Sequence, residues 1–195
     1  MAISLELIKS LREKTASSLA DCRSALEEAK GDLAKAEELL RIRGKKIAEK
    51  KSDRAANAGL VEAYVHSNGR VGVLVELRCE TDFVARNELF KELAHDLALQ
   101  IAAMNPKYIT AQDAPAEFVA KERENFEKEF AGSGKPADIV KKIVEGKLAK
   151  LFEEQSLYTQ QFVKDPARSV KDLITDVVGK LGENIRVERF VRYEF

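Results

Sequence analysis

The 195-residue chain carries 33 basic and 33 acidic side chains, giving a formal net charge of zero, with 45% hydrophobic and 34% charged residues. That balance belongs to a folded globular protein and weighs against a general polyanion binder, whose basic excess would show in the totals. The longest stretch without a charge, 97–106, falls far short of the about 20 residues that a spanning helix needs, so no transmembrane segment is expected. The N-terminal MAISLELIKSLREK has early acids and no apolar core, and is expected to be neither a secretory signal nor a transit peptide. Only Cys22 and Cys79 are present, too few for a disulfide scaffold and in keeping with a reducing, cytoplasmic setting.

Residues 1–43 read as three short helices. Ser4 caps the first, and Leu7, Ile8 and Leu11 form its buried stripe. Thr15, Ser17 and Ser18 interrupt the pattern before a second helix with Leu19, Cys22, Ala25, Leu26 and Ala29, ended by Gly31 in a left-handed position. Asp32 caps a third, with Leu33, Ala36, Leu39 and Leu40. Three helices this short bury little apolar surface, so they make a small module rather than an enzyme body. Residues 41–54 then collect Arg41, Arg43, Lys45, Lys46, Lys50, Lys51 and Arg54 against Glu49 and Asp53. With Gly44 at its start and Ala55-Ala56-Asn57-Ala58-Gly59 behind it, this stretch reads as a partly helical linker, either a solvated connector or a contact for RNA or a phosphorylated partner.

Next the hydrophobic period changes from 3.6 to 2. Val61, Ala63 and Val65 alternate, His66-Ser67-Asn68-Gly69 turns, and Val71, Val73, Val75 and Leu77 alternate again, the pattern of a β-hairpin. A loop through Glu80-Thr81-Asp82-Phe83 leads to a helix capped by Asn87, with Phe90, Leu93, Leu97, Ile101 and Met104 on one face. Two amphipathic helices near 117–130 and 137–155, joined through Ala131-Gly132-Ser133-Gly134-Lys135-Pro136, form an antiparallel helical hairpin. Asp165-Pro166 is expected to open a helix over about 169–181, with Pro near its first position. The final segment, Ile185–Phe195, alternates apolar and charged residues as a strand pairing with the hairpin.

Little reactive chemistry is legible. Cys22, His66, Cys79 and His95 lack the close spacing of metal ligands, and Cys22 on an apolar helix face reads as a small core residue. Gly44-Lys45-Lys46 lacks the preceding glycine spacing and the following hydroxyl of a phosphate loop, and no nucleophile elbow or dinucleotide fingerprint occurs. An enzyme is therefore disfavoured. Asp82-Phe83, at a strand exit, is the odd feature. Taken alone, the Asp would cap a helix or hold the turn and the Phe would lid the local core; a binding role needs Phe83 to project from the tip.

TDFVARN at 81–87, following VLVELRCE at 73–80, resembles the core signature of the bacterial elongation factor Ts family. LREKTASSLADCRSALEEAKGD at 11–32 resembles that family's N-terminal signature, and 135–157, 160–166 and 182–195 resemble its later segments. The chain departs from the usual pattern at Ala16-Ser17-Ser18, where glycines are common, at Arg23 for Lys, and at Arg78 for Asn.

The resemblance implies an α+β fold: an N-terminal three-helix, ubiquitin-associated-like module, then an antiparallel-sheet plus helix core with an inserted helical hairpin. The domains expected are the three-helix module at 1–43, a basic linker at 44–58, the first part of the core at 59–115, the hairpin at 116–157 and the last core helix and strand at 158–195. It implies a guanine-nucleotide exchange factor that binds elongation factor Tu·GDP, displaces Mg²⁺ and promotes GDP release, without covalent chemistry, cofactor, membrane or required nucleic-acid contact. Arg12, Leu19 and Ala20 match family positions that contact the GTPase domain, and Thr81, Asp82, Phe83 and Val84 match the segment that intrudes beside the nucleotide. The later core is expected to contact another domain of the GTPase. Longer family members carry two core modules, so a homodimer of this short form would supply the second. The alternative is a module that binds RNA or the ribosome through 41–54, which predicts salt-sensitive RNA binding.

Overall fold

The computed structural model describes residues 3–15, 17–131 and 134–195. Ala16, and Gly132-Ser133 of the expected interhelical loop, lie outside the described residues. In chain order the elements are α1 (Leu5–Thr15), α2 (Leu19–Glu28), α3 (Leu33–Lys51), β1 (Ala58–Val65), β2 (Val71–Cys79), α4 (Asp82–Ala85), α5 (Glu88–Met104), a 3-10 turn (Ala111–Asp113), α6 (Ala116–Phe130), α7 (Ala137–Gln155), β3 (Gln161–Phe162), β4 (Asp165–Ser169), α8 (Val170–Leu181) and β5 (Arg186–Glu194). The class is α+β, as expected. Two compact units form, one from residues 1–62, 75–96 and 172–190, the other from 63–74, 97–171 and 191–195.

In the first unit, helices α1 to α3 close over Ile8, Leu11, Cys22, Ala25, Leu26, Ala29, Ala36 and Leu40. Two helix starts are capped as the pattern marks, Ser4 accepting from Leu7 N at 3.2 Å and Asp32 from Lys35 N at 3.1 Å, and Ser18 also caps α2, accepting from Asp21 N at 3.1 Å. Cys22 is fully buried, with its thiol 3.8 Å from the Thr15 hydroxyl.

The basic stretch is partly helical, as its sequence suggested, with α3 continuing unbroken to Lys51 and the next element starting at Ala58. Its residues after Leu40 are mostly good helix formers, and Gly44 among them has a packing role. Gly44 meets Gly179 of α8 so closely that a Cβ on Gly179 would lie 2.7 Å from the Gly44 Cα. Several cations of the stretch are engaged: Arg43 with Glu28 at 2.6 Å, Lys45 with Asp172 at 3.0 Å, and the Lys51 ammonium donating to the Gly182 carbonyl.

The antiparallel sheet has the order β1-β2-β5, so the final strand does join the hairpin. Strand β2 buries Val73, Val75, Leu77 and Cys79 on one face. At the hairpin tip Gly69 takes a φ of +68°. Helix α5 is capped by Asn87, whose side chain accepts from Leu89 N at 2.9 Å.

In the second unit, α6 and α7 pack through Val144, Leu148 and Phe152, with Tyr108, Phe118, Val119, Phe126 and Val140 around them. Strands β3 and β4 form a small antiparallel pair that the period did not reveal. Pro166 therefore lies in a strand and not at the start of a helix, and α8 begins at Val170. A two-stranded pair has open edges, where a residue without an N–H is tolerated. The buried Gln100 amide fixes this region, donating to the Gln160 side chain and Gln161 carbonyl at 3.1 Å each and accepting from Val163 N at 2.8 Å.

Candidate functional site

The chain leaves β2 at Cys79 and turns at once into the single helical turn α4. Thr81 is extended (φ −128°, ψ 159°) and is the cap, its hydroxyl accepting from Val84 N at 3.4 Å. Four residues cannot hold a helix by themselves. The turn is held instead by Glu183, just beyond the end of α8. One carboxylate oxygen accepts from Glu80 N at 3.1 Å and Thr81 N at 3.0 Å, and the other from the Thr81 hydroxyl at 2.7 Å.

Asn184 completes the junction. Its backbone N–H donates to the Glu80 carboxylate at 2.7 Å, and its buried side-chain amide donates to the carbonyls of Ser52 at 3.1 Å and Arg54 at 2.7 Å. The Asn184 N–H first, then Arg54 at 3.4 Å, hold the Glu80 carboxyl below its ordinary value. The turn and the end of α3 are thus tied to the same short segment, 182–184.

Cys79 donates its thiol to the Thr81 carbonyl at 3.1 Å. Burial, and then the nearby Glu183 charge, push that thiol up to about 11. It stays protonated at neutral pH, a bond donor within the turn rather than a nucleophile. Among the described residues no group of three or more His, Cys, Asp or Glu is arranged to hold a metal ion.

Phe83 is 81% exposed. It does not lid the core; it is turned out to solvent, while Val84 after it is half-buried. Asp82 is not the cap either, and pairs with Arg86 at 2.9 Å on the surface. Arg12, Leu19 and Ala20 lie on α1 and the first turn of α2, all exposed, with Leu19 at 52%. Arg78, where the family pattern has Asn, pairs within the sheet with Glu76 at 2.7 Å and Glu188 at 3.8 Å.

The residues that sequence reasoning missed are Glu183 and Asn184. A signal existed: an acid just past a helix C-terminus is disfavoured by the helix dipole unless it finds donors elsewhere. Glu183 finds three.

The architecture defines an α+β protein with an N-terminal three-helix module and a turn that presents an aromatic side chain. The family model described as "Elongation factor TS" matches residues 4–195. A protein of Thermotoga maritima named elongation factor Ts is 54% identical over 194 residues, covering 100% of this chain and 96% of the relative. One of Carboxydothermus hydrogenoformans with the same name is 50% identical, covering 98% and 88%, and one of Caldanaerobacter subterraneus subsp. tengcongensis is 48% identical, covering 98% and 96%. This chain belongs to the elongation factor Ts family, and so to the translation elongation factors. Among the described residues no helix is long and apolar enough to cross a membrane.

Proposed function

We propose that this chain is a guanine-nucleotide exchange factor for elongation factor Tu, working in the cytoplasm by binding and not by covalent chemistry. The observation that carries the reading is Phe83, an aromatic ring standing 81% exposed on a turn fixed from beneath. A large apolar side chain gains about 2 kcal/mol or more when it is buried in a partner's pocket. In the proposed mechanism, Phe83 wedges beside the nucleotide of the GTPase, flanked by Thr81, Asp82 and Val84. The elements that support Mg²⁺ shift, and the phosphates lose that bridge. Arg12, Leu19 and Ala20 dock the three-helix module on the GTPase domain, and the later core contacts another domain. Linkage then requires nucleotide and Mg²⁺ to weaken binding of this chain by the same factor by which it weakens theirs.

The test is release of a fluorescent GDP analogue from elongation factor Tu. This chain should accelerate release at substoichiometric amounts, and Phe83→Ala should slow the accelerated rate at least about tenfold. Unchanged acceleration in that variant would rule out the wedge. The RNA-binding alternative is less well supported, since Arg43, Lys45 and Lys51 of the basic stretch already have partners within the protein. We further propose a homodimer, in which a second copy covers the exposed apolar side chains Leu74, Val191 and Tyr193, which are 46%, 38% and 71% exposed. A monomer in sedimentation at micromolar concentration would overturn it.

A further inference from the structure

We propose that Glu183 is a positioning residue for nucleotide exchange, setting the turn that presents Phe83 and acting on the partner only through that ring. The inference rests on the exchange reading above.

At the exit of β2, the N–H groups of Glu80 and Thr81 both turn to the Glu183 carboxylate, at 3.1 and 3.0 Å. Left without an acceptor, they would need water or a different turn. The third bond, from the Thr81 hydroxyl at 2.7 Å, orients that oxygen so that its lone pair receives Val84 N. Glu183, Thr81 and Val84 thus make a relay that brackets residues 82 and 83 from both sides. The ring of Phe83 is free in solvent while its backbone is held. Such a wedge loses less conformational freedom on insertion than one carried on a mobile turn.

The chemistry also explains why a carboxylate stands here. Three donors converge on two acceptor oxygens, and a carboxylate is acceptor on every side. An amide in its place keeps one acceptor for the two N–H groups. Its NH₂ meets a Thr81 hydroxyl that can reverse to accept from it.

The experiment measures GDP-analogue release from elongation factor Tu across a range of concentrations of the full chain. This separates the saturating release rate from the half-saturating concentration. Phe83→Ala, Glu183→Ala, Glu183→Gln, Thr81→Val and the double Phe83→Ala/Glu183→Ala variant are compared, each verified as folded by circular dichroism at the assay temperature. Glu183→Ala should lower the saturating rate at least about fivefold while the half-saturating concentration moves by no more than about threefold. Glu183→Gln should fall between it and the parent, and Thr81→Val should share the pattern. The double variant should be no slower than Phe83→Ala alone, because both act through one ring. If Glu183→Ala does not fold, Glu183→Gln and Thr81→Val decide, and parental saturating rates in both would overturn the inference. So would a parental rate in folded Glu183→Ala, or multiplicative losses in the double variant, provided that Phe83→Ala is itself slow. An unaffected Phe83→Ala would instead bring down the wedge, and with it the exchange mechanism on which this inference stands.

Discussion

The turn after β2 and the helical hairpin α6–α7 both rely on long-range support, of opposite kinds. The turn is held by polar bonds that converge on Glu183 and Asn184, about a hundred residues away in sequence. The hairpin is held chiefly by an apolar seam, with Phe118 and Phe152 edge to face at 6.4 Å and Tyr108 beside them, flanked by the exposed ion pairs Arg123–Glu145 and Lys147–Glu129. Among its described residues α6 contributes no fully buried side chain. Directional bonds fix a backbone to fractions of an ångström, whereas an apolar seam fixes only which faces meet. The segment that presents Phe83 has the first kind of support.

That contrast can be broken at either end. The largest effect is expected at Gly179, where any side chain must displace the backbone of Gly44. Gly179→Val should cost at least about 3 kcal/mol in urea unfolding, and should speed hydrogen exchange of amides 79–86, because residues 182–184 follow directly. Phe152→Ala should cost about 3 kcal/mol, with the faster exchange confined to α6 and α7 and residues 79–86 left as they were.

A smaller effect is expected in acid. The native Glu80 carboxyl lies below its ordinary 4.5 because of the Asn184 N–H and then Arg54, so on acidification the unfolded chain takes up that proton first. Its contribution to stability is therefore fully present above about pH 4.5 and is lost as pH falls through the lowered native value. Glu80→Gln should flatten the acid arm of a melting-temperature profile. Glu145 of the hairpin is lowered too, by Arg123, but the pair is solvent-exposed, and Glu145→Gln should leave that arm nearly unchanged. The smallest change is expected for Lys147, which lies over the rings of Phe126 and Phe130 at 5.3 and 4.8 Å. Lys147→Ala should cost about 0.5–1 kcal/mol, read from the urea midpoint.

Most elements were legible because their signals are local. Caps at Ser4, Asp32 and Asn87, the Asn68-Gly69 hairpin and the stripes of α5, α6 and α7 depend on residues within a turn or two of each other. What was missed depends on partners distant in sequence. Gly44 reads only as the start of a linker until Gly179 is seen against it. The short pair β3–β4 has too few residues to show a period, and Pro166 suggested a helix start instead. At the candidate site the motif pointed to Thr81 through Val84, but the exposure of Phe83 and the identity of the donors that Glu183 finds required the third dimension.

The unbroken helix α3 changes how two contacts on one partner would combine. A flexible connector between the three-helix module and the turn would set their joint strength by polymer statistics, through an effective concentration that varies gently with length. A rigid rod sets it by phase and pitch. Inserting one residue between Leu40 and Gly44 would advance the module by about 1.5 Å and rotate it by about 100° about the helix axis, so that its docking face would no longer meet the surface that Phe83 addresses. Under the proposed function α3 is a gauge, and its length in residues is part of the recognition code.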